Sequence, residues 1–485
     1  MKYVQPYQCG IAGKQILALL NTLEKHGVNL HSLLMARGND IFFERYWGPY
    51  DQNTPHRMYS VTKSFVSAAV GCLADEGKLS LDDPIVRYFP DKLPQTVHPW
   101  LAQQTVRDML MMCTCFADIN WFQPGVTDRL AYYFSREVLR PAGTVFHYDS
   151  TGSYVLGVLV ERLSGMKLLD YLKAKLLDRI GGFENAIMLE TPDGTAWGDS
   201  ALIATPRALM NFARLMLNRG KWEGEQLLSK EYVLAATSTQ TDNSVEGRTH
   251  YNACGYGYQF WMTYQNSFSM NGMGSQFAIC VPHKDLIFVC TCDNQLSGDQ
   301  LHPVIFDTFF REIVDQTSEE PLTAEQPMTD EHPPLMVAKG ESTSPLMTEI
   351  NGCWYECETN SMGITRFKLH FSGSRGVFSY TNAQGDKELP FGLKHNLICT
   401  FPQAGYSNLR GNVHEINDFR YRCAVSGGWV DPHKLQLRVQ IIDNYLGQLF
   451  ITFGFRDKNT VGVRMIKAAE DFLQEYEGWM GAHRS

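Results

Sequence analysis

Ser60 and Lys63 are the residues of this sequence whose types and spacing best suit nucleophilic catalysis. They stand three positions apart at the start of a predicted helix, where residues i and i+3 share one face, so the lysine amine reaches the serine hydroxyl. A serine hydroxyl attacks well only when a base removes its proton, and a lysine amine is such a base when burial or nearby positive charge lowers its pKa. The positive end of the helix dipole would stabilise the oxyanion formed in this attack.

The same Ser-x-x-Lys spacing occurs a second time, at Ser164 and Lys167. Gly165 lies between them at the end of a predicted helix, which indicates a terminating turn and not a nucleophile. At the start of a helix, a serine such as Ser60 also commonly serves as the N-cap. The spacing alone therefore leaves capping and catalysis open, and the surrounding segments decide between them.

Six segments, in order along the chain, resemble the serine beta-lactamase and penicillin-binding protein family, and more closely its class C-like esterase and amidase branch. They lie within roughly residues 10–315, and six matches in order are far more specific than one. The segments are Met58–Phe65, Gly77–Ile85, Thr105–Met112, Pro141–Ser150, Tyr256–Trp261 and Gly272–Phe277. The resemblance implies a beta-lactamase-like α+β fold, in which an antiparallel sheet is flanked by helices and accompanied by an all-helical lobe.

The resemblance also assigns roles to individual residues. Tyr148 matches the tyrosine of the family's second motif and would pass a proton between nucleophile and leaving group together with Ser60 and Lys63. A phenol ionises near pH 10, so this role needs a cationic neighbour, which Lys63 would provide. The backbone amides of Ser60 and Ser275 would form the oxyanion hole.

Two departures from the family pattern bear on the substrate. Ser150 stands where the family usually has asparagine, and its hydroxyl has a shorter reach. The segment Gly272–Gly274 stands where lactamases carry Lys-Thr-Gly, so the cation that would bind a penicillin carboxylate is missing. An ester or amide without that carboxylate is the better expectation. The predicted substrate-binding residues are Ser150, Gly272, Met273, Gly274, Trp121 and Trp261.

Hydrophobic periodicity predicts helices beside an antiparallel sheet and no repeated βαβ units. Apolar residues at helical spacing indicate helices over residues 14–27, 59–76, 153–164, 206–219 and 303–314. Alternating or continuous apolar runs indicate strands over residues 33–36, 41–47, 255–264, 276–282 and 286–292.

The chain divides into three predicted parts. Residues 1–315 form the hydrolase domain, and residues 316–349, rich in proline, serine, threonine and glutamate, form a linker that buries little surface. Residues 350–485 show short alternating runs separated by turns, which predict a small antiparallel β-barrel resembling lipocalin-like extensions, with Ala468–Trp479 as a terminal helix. Capping of the active site, restriction of substrate size and assembly are all compatible with such a barrel.

Composition narrows the class of protein. The 485 residues carry a formal net charge of -9 and no basic stripe, which argues against nucleic acid as a partner. No segment has the apolar length of a membrane span, and the N-terminus lacks the apolar core of a signal peptide, so we expect a cytoplasmic protein without a membrane partner. Several of the twelve cysteines lie in apolar runs, which indicates buried free thiols in a reducing compartment.

Neither a metal nor a cofactor is expected. The pairs Cys113/Cys115 and Cys290/Cys292 lack the spacing of zinc ligands. No Gly-x-Ser-x-Gly elbow, dinucleotide fingerprint, phosphate loop or His-Glu-x-x-His occurs in the sequence.

The sequence thus predicts a serine hydrolase that cleaves a small ester or amide through an acyl-enzyme on Ser60, with acyl transfer to an alcohol or amine as a side reaction. The branch of esterases and D-amino-acid amidases or peptidases is favoured over true lactamases. The alternative is a catalytically silent ligand-binding or interaction protein on the same scaffold. Homo-oligomerisation is compatible with either.

Overall fold

The computed structural model describes residues 1–117, 126–246, 250–326, 332–405, 419–470 and 472–485. Within these ranges the chain forms two compact units, one from Met1 to His332 and one that begins at Pro333. The boundary between them falls inside the stretch predicted as a linker. The domain limits 1–315 and 350–485 stay predictions.

The first unit is built on strands that come from both ends of its sequence. The strands are β1 (Lys2–Tyr3), β2 (Leu30–Arg37), β3 (Asp40–Tyr46), β4 (His56–Arg57), β5 (Ile187–Met188), β6 (Leu202–Ala204), β7 (Lys221–Trp222), β8 (Glu225–Gln226), β9 (Trp261–Thr263), β10 (Ser267–Gly272), β11 (Gln276–Val281) and β12 (Leu286–Cys292). The seven-stranded sheet has the order β1-β3-β2-β12-β11-β10-β9. All its pairs are antiparallel except β1 with β3.

Helices occupy most of the sequence between these strands. They are α1 (Gly13–Lys25), α2 (Thr62–Asp75), α3 (Pro99–Gln103), α4 (Val106–Leu110), α5 (Arg129–Phe134), α6 (Ser150–Ser164), α7 (Leu168–Leu172), α8 (Asp178–Ile180), α9 (Pro206–Leu217), α10 (Lys230–Ala236) and α11 (His302–Phe309). From Thr62 to Ile180 the described residues form helices and isolated bridges, which is the predicted helical lobe.

The sheet is the middle layer between two layers of helices. On β2, Leu33 and Met35 join the core formed with α1 and α11, whereas Leu34 and Ala36 join the core formed with α2 and α9. Because successive strand residues point to opposite faces, a strand buried on both faces is mostly apolar, as β12 is from Leu286 to Cys290, and its buried Thr291 shares a hydrogen bond with Ser32 at 2.6 Å. The predicted α+β architecture of an antiparallel sheet flanked by helices is confirmed.

Helix α2, which follows Ser60, is buried on almost every side. All of its residues from Thr62 to Leu73 are buried, including Lys63, Ser64 and Ser67. A helix that is enclosed all round is positioned by its neighbours and not by solvent. Lys63, in the first turn of this helix, is therefore held in a fixed place.

The strand predicted over residues 255–264 is wrong in its first part, because only Trp261–Thr263 form β9. Gln259 adopts the left-handed conformation with φ +64°, which no strand tolerates. Its side chain donates to Met109 O at 3.1 Å and to Leu110 O at 2.9 Å, so a tertiary interaction overrides the strand pattern.

The second unit is a closed β-barrel, as predicted. After the short helix α12 (Met347–Ile350) come β13 (Trp354–Cys357), β14 (Arg366–Ser372), β15 (Arg375–Asn382), β16 (Gly385–Leu393), β17 (Leu397–Thr400), β18 (Arg422–Asp431), β19 (Lys434–Ile442), β20 (Leu446–Asp457), β21 (Thr460–Ala469) and β22 (Gly478–Arg484). Nine strands close the ring through β16 and β18, and β17 adds to β18. This closing pair is parallel, because an odd number of strands cannot alternate direction all the way round.

The terminal helix predicted over Ala468–Trp479 is wrong. Strand β21 continues to Ala469, a 3-10 turn covers Gln474–Tyr476, and β22 follows. Strand β22 pairs with both β13 and β21, so it removes two open edges from the barrel. This non-local pairing outweighs the helical spacing of the apolar residues.

Part of the predicted linker also buries surface, contrary to expectation. Leu335 and Ala338 are buried, and the Ala338 amide donates to Ser426 Oγ at 2.9 Å. Gln440 Nε2 donates to Met336 O at 3.0 Å. These barrel side chains satisfy the linker backbone, which composition alone did not reveal.

We expect Asp149→Asn to destabilise the first unit. Asp149 caps α6 and forms an ion pair of 3.0 Å with Arg136, and both side chains are 4% exposed. The substitution keeps the shape but leaves a buried cation unpaired, so the free energy of unfolding should fall by about 3 kcal/mol at pH 7. Urea titration followed by fluorescence measures this loss.

The effect of Asp149→Asn should depend on pH. Burial alone would raise the pKa of Asp149, but the Arg136 charge and the hydrogen bonds from Thr151, Arg136 and Thr114 bring it below its ordinary value. A depressed pKa in the folded state stabilises the protein above the unfolded pKa of about 3.9, and this contribution is lost as pH falls through the lower folded pKa. The difference in unfolding free energy between wild type and variant should therefore shrink below pH 4.

Asp128→Asn is the matched control, since Asp128 also caps a helix but its ion pair with Lys92 is exposed. An equal loss in both variants would contradict the buried pair as the cause.

Candidate active site

Ser60 and Lys63 are in direct contact at the start of α2. Ser60 lies in a 3-10 turn, Tyr59–Val61, that leads into the helix, and its side chain is half-buried. Lys63 is 2% exposed, and its Nζ donates to Ser60 Oγ at 2.8 Å and to Asp199 O at 2.7 Å. The amine is therefore aimed at the hydroxyl, as the base of a serine nucleophile has to be.

The turn that carries Ser60 is strained and held from outside. Tyr59 has φ +46°, a left-handed conformation that costs a bulky residue about 1–2 kcal/mol. The Met58 amide donates to Leu202 O at 2.8 Å, and the Leu202 amide donates to Thr62 Oγ1 at 3.1 Å. Strand β6 thus fixes both sides of the serine, and no sequence pattern signalled the strain.

Tyr148 joins this pair from the loop before α6. Its ring centroid is 5.2 Å from Lys63 Nζ, and its ring stacks on Trp261 at 5.4 Å. The Tyr148 amide donates to Glu246 Oε1 at 3.2 Å, and the same oxygen lies 2.8 Å from His147 Nδ1. The phenol ring, the amine and the hydroxyl thus lie together, and Glu246 anchors the loop that carries the phenol.

The segment Gly272–Gly274, the third motif of the family pattern, forms the turn between β10 and β11, close to the nucleophile. Gly272 pairs with Gln276, and a Cβ at position 272 would lie 2.4 Å from Met58 O. Gln276 Nε2 donates to Met273 O at 3.0 Å and to Cys292 O at 2.7 Å. Glycine is required at 272 by this close approach, and Gln276, which the sequence did not single out, ties the turn to β12.

Ser275, the predicted oxyanion donor, does not line the cleft at Ser60. It is fully buried, has φ +70°, and its carbonyl accepts a hydrogen bond from Cys290 Sγ at 3.5 Å. Met273, two residues earlier, is 40% exposed and lines the cleft together with Ser60. The turn therefore presents the Met273 side chain to the cleft, and the oxyanion role of the Ser275 amide stays a prediction.

A cleft of about 190 Å³ opens at these residues. It is lined by Ser60, Tyr148, Tyr251, Asn252, Trp261, Asn271, Gly272, Met273, Asp299 and His302. Of the predicted substrate-binding residues it brings together Trp261, Gly272 and Met273. Gly274 and the half-buried Ser150 do not line it, and Trp121 lies outside the described residues.

Five lining residues escaped the sequence analysis: Tyr251, Asn252, Asn271, Asp299 and His302. Asn271 ends a strand whose pattern was not recognised, and the others come from short 3-10 turns or the first turn of α11. Such turns have no hydrophobic period, so only the tertiary structure shows that they meet.

A buried carboxyl group lies behind the lysine. Burial raises the pKa of Asp199, and the charges of Lys63, Arg129 and Arg57 oppose this rise. Arg57 Nε also donates to Ser200 O at 2.8 Å. These groups hold the segment whose backbone carbonyl accepts the hydrogen bond from Lys63.

Other reactive side chains of this unit lie elsewhere or pack in the core. Ser164 ends α6, Gly165 after it adopts φ +71°, and Lys167, which precedes α7, pairs with Glu190 at the surface. His56 hydrogen-bonds His31 at 2.8 Å, and burial lowers its pKa to about 4. Cys115 is fully buried, and burial raises the pKa of its thiol to about 12, so it is a packing residue.

Among the described residues, no group of three or more His, Cys, Asp or Glu side chains is arranged to hold a metal ion. Across the same ranges, no helix combines the length and the apolar composition that crossing a lipid bilayer requires.

Comparisons with known proteins identify the family of the chain. The family model described as Beta-lactamase matches residues 20–301. The 6-aminohexanoate-dimer hydrolase of Paenarthrobacter ureafaciens is 25% identical over 264 residues, which are 50% of this chain and 67% of that protein. A penicillin-binding protein of Bacillus subtilis is 26% identical over 34% of this chain, and the match spans only 39% of its own length.

A solved structure shares the fold over nearly the whole chain. The octameric penicillin-binding protein homologue from Pyrococcus abyssi superposes with a TM-score of 0.50 at 15% identity, covering 97% of this chain and 99% of its own. The fold and these comparisons define a serine hydrolase. The chain belongs to the beta-lactamase family.

We expect Gly272→Ala to slow the reaction of Ser60 without unfolding the protein. The added methyl group would meet Met58 O at 2.4 Å, so either β10 or the nucleophile turn has to move. A displacement of this kind should reduce the rate of Ser60 modification by a fluorophosphonate by about 100-fold. Intact mass spectrometry over time measures that rate.

Gly462→Ala is the matched control for this substitution. Gly462 lies inside β21, and its added Cβ would meet nothing within 4 Å, so the labelling rate should stay within about twofold of wild type. Normal labelling of a folded Gly272→Ala variant would show that β10 does not constrain the nucleophile.

Proposed function

We propose that the protein hydrolyses a small ester or amide through an acyl-enzyme on Ser60, with Lys63 and Tyr148 as the proton-transfer groups. The observation that carries this proposal is the 2.8 Å hydrogen bond between Lys63 Nζ and Ser60 Oγ at the floor of a cleft. A structural N-cap would instead direct the serine side chain to the amides of its own helix, and α2 has no such side-chain cap.

The contacts of Ser60, Lys63 and Tyr148 suggest a path for the proton during acylation. Ser60 Oγ attacks the substrate carbonyl carbon while its proton passes to Lys63 Nζ, which lies 2.8 Å away. Tyr148, whose ring lies 5.2 Å from that amine, relays the proton to the leaving alcohol or amine as the carbon–heteroatom bond breaks. Water then attacks the acyl-enzyme by the reverse route and releases the acid. An alcohol or amine that enters in place of water would accept the acyl group instead.

The negative charge on the tetrahedral intermediate needs two donors. The Ser60 amide belongs to the first turn of the helix, where N–H groups have no intrahelical acceptor. Because Met273 lines the cleft beside Ser60, its amide is a second candidate for this donor, besides the Ser275 amide expected from the sequence.

The size and charge of the cleft favour a small substrate without a carboxylate. Its volume of about 190 Å³ is below the usual range for drug-sized ligands. Of the described residues that line it, none is a lysine or arginine that could pair with a penicillin carboxylate. The name of the relative from Paenarthrobacter ureafaciens denotes an amide substrate, which supports amides beside esters.

Assembly and location extend the same proposal. The Pyrococcus abyssi homologue is octameric by its title, and homo-oligomerisation of this chain is proposed by analogy, to be measured by light scattering. A cytoplasmic location and the absence of a nucleic-acid or membrane partner remain proposals from composition.

We expect Ser60→Ala to abolish both p-nitrophenyl butyrate turnover and the covalent fluorophosphonate adduct. Lys63→Ala should lower kcat by roughly 10³-fold or more, because the serine loses its base. Tyr148→Phe should lower it by roughly 10²- to 10⁴-fold, because the ring stays but the proton relay is lost. Nitrocefin should not be hydrolysed by the wild-type protein.

The second Ser-x-x-Lys spacing provides the matched control. Ser164→Ala and Lys167→Ala alter the same residue types at the surface and should leave turnover unchanged. A wild-type protein that neither forms the adduct nor turns over the ester would support the silent ligand-binding alternative and refute the proposal.

A further inference from the structure

The charge of the cleft comes from a segment that the catalytic groups do not use. The 3-10 turn Gln295–Leu301 between β12 and α11 brings Asp299 to the cleft, and its side chain is 74% exposed. The other described lining residues include no second carboxylate and no lysine or arginine. Among the described residues that line the cleft, Asp299 is therefore the only one with a negative side chain.

His302, at the start of α11, contacts Asp299 without neutralising it. Its Nδ1 lies 3.3 Å from Asp299 Oδ1 and 2.9 Å from Tyr251 Oη. The imidazole is 7% exposed and packs edge-on against Phe277 at 4.8 Å. Burial lowers the pKa of His302 to about 4, so the ring is neutral at pH 7 and adds no positive charge beside Asp299.

The cleft wall also contains an acceptor that lacks a donor. Asn271 Oδ1 is buried and has no hydrogen-bond partner among the described residues. Buried acceptors are nearly always satisfied, and Asn271 itself lines the cleft, so a rotation of its side chain would offer this oxygen to a ligand that donates hydrogen bonds. This observation is independent of the charge on Asp299.

We propose that Asp299 binds an ammonium group of the substrate, so that the preferred substrates are small esters or amides that carry a free amino group. This inference rests on the proposed function and adds the substrate class. A carboxylate at the edge attracts a cation and repels an anion. Tyr251 and His302 act as positioning residues, because they hold the wall beside Asp299.

The test compares substrates that differ in one charged group. Ethyl β-alaninate and ethyl butanoate differ only by an ammonium in place of a methyl group, and the ethyl ester of alanine and ethyl 2-methylpropanoate place the same difference next to the carbonyl. For each pair, kcat/KM of the ammonium substrate is divided by that of the neutral one. Dividing the wild-type ratio by the ratio in Asp299→Asn cancels the different intrinsic reactivity of the esters.

We expect this quotient to be about five for at least one pair, as for an ion pair near the surface. It should fall towards one at 1 M salt, because the charges are then screened. Asp299→Lys should reverse the preference in favour of the neutral ester. Asp178→Asn, an exposed carboxylate that does not line the cleft, should leave the wild-type ratio unchanged.

The experiments distinguish failure of the ammonium site from failure of the proposed hydrolase function. Quotients below two for both pairs, with Ser60-dependent hydrolysis intact, would overturn the ammonium site alone. An equal effect of Asp299→Asn on charged and neutral esters would show a structural role and also overturn it. If the fluorophosphonate does not label Ser60, or no ester is hydrolysed in a Ser60-dependent way, the proposed function and this inference fall together.

Discussion

The burial of one amine, Lys63 Nζ, is the constraint on which the rest of this site depends. A nearly fully buried amine has to find hydrogen-bond partners inside the protein, and Ser60 Oγ and Asp199 O supply them. The first partner comes from the same helix, but the second is more than 130 positions away in the sequence. The proton-transfer pair is therefore a product of tertiary packing, although its spacing looks like a property of one helix.

Two glutamine side chains transmit this constraint to the other parts of the site. Gln259 donates to carbonyls of α4, accepts from Ser153 Oγ on α6, and offers its own carbonyl to Ser64 Oγ on α2. Gln276 connects the β10–β11 turn to β12 in the same manner. A buried amide whose donors and acceptor are all engaged resists displacement. Helix α6, which follows Tyr148, and the turn with Met273 are thereby fixed relative to the nucleophile.

Local patterns predicted the parts of the fold whose determinants are close in sequence. The β2–β3 hairpin, β11, β12 and helices α1, α2 and α9 follow from their periods, and the order of motifs predicted the lobes around them. The failures have non-local causes. Gln259 leaves the strand region to reach α4, and β22 forms because two barrel edges need a partner. Which side chain of the β10–β11 turn lines the cleft depends on the register of that turn, which residue types do not encode.

A steric limit at position 272 explains why the β10–β11 turn brings no cation to the cleft. Lactamase-like recognition of a carboxylate would need a cation near position 272, but a Cβ there would lie 2.4 Å from Met58 O. As long as β10 approaches the nucleophile turn this closely, no lysine fits, and the turn can offer substrate only backbone groups and the Met273 side chain. Discrimination by charge is then left to residues outside the motif, of which Asp299 on the β12–α11 turn is the charged one among the described lining residues. Because this turn does not carry the proton-transfer groups, its charge can change the choice of substrate without moving the serine, the amine or the phenol.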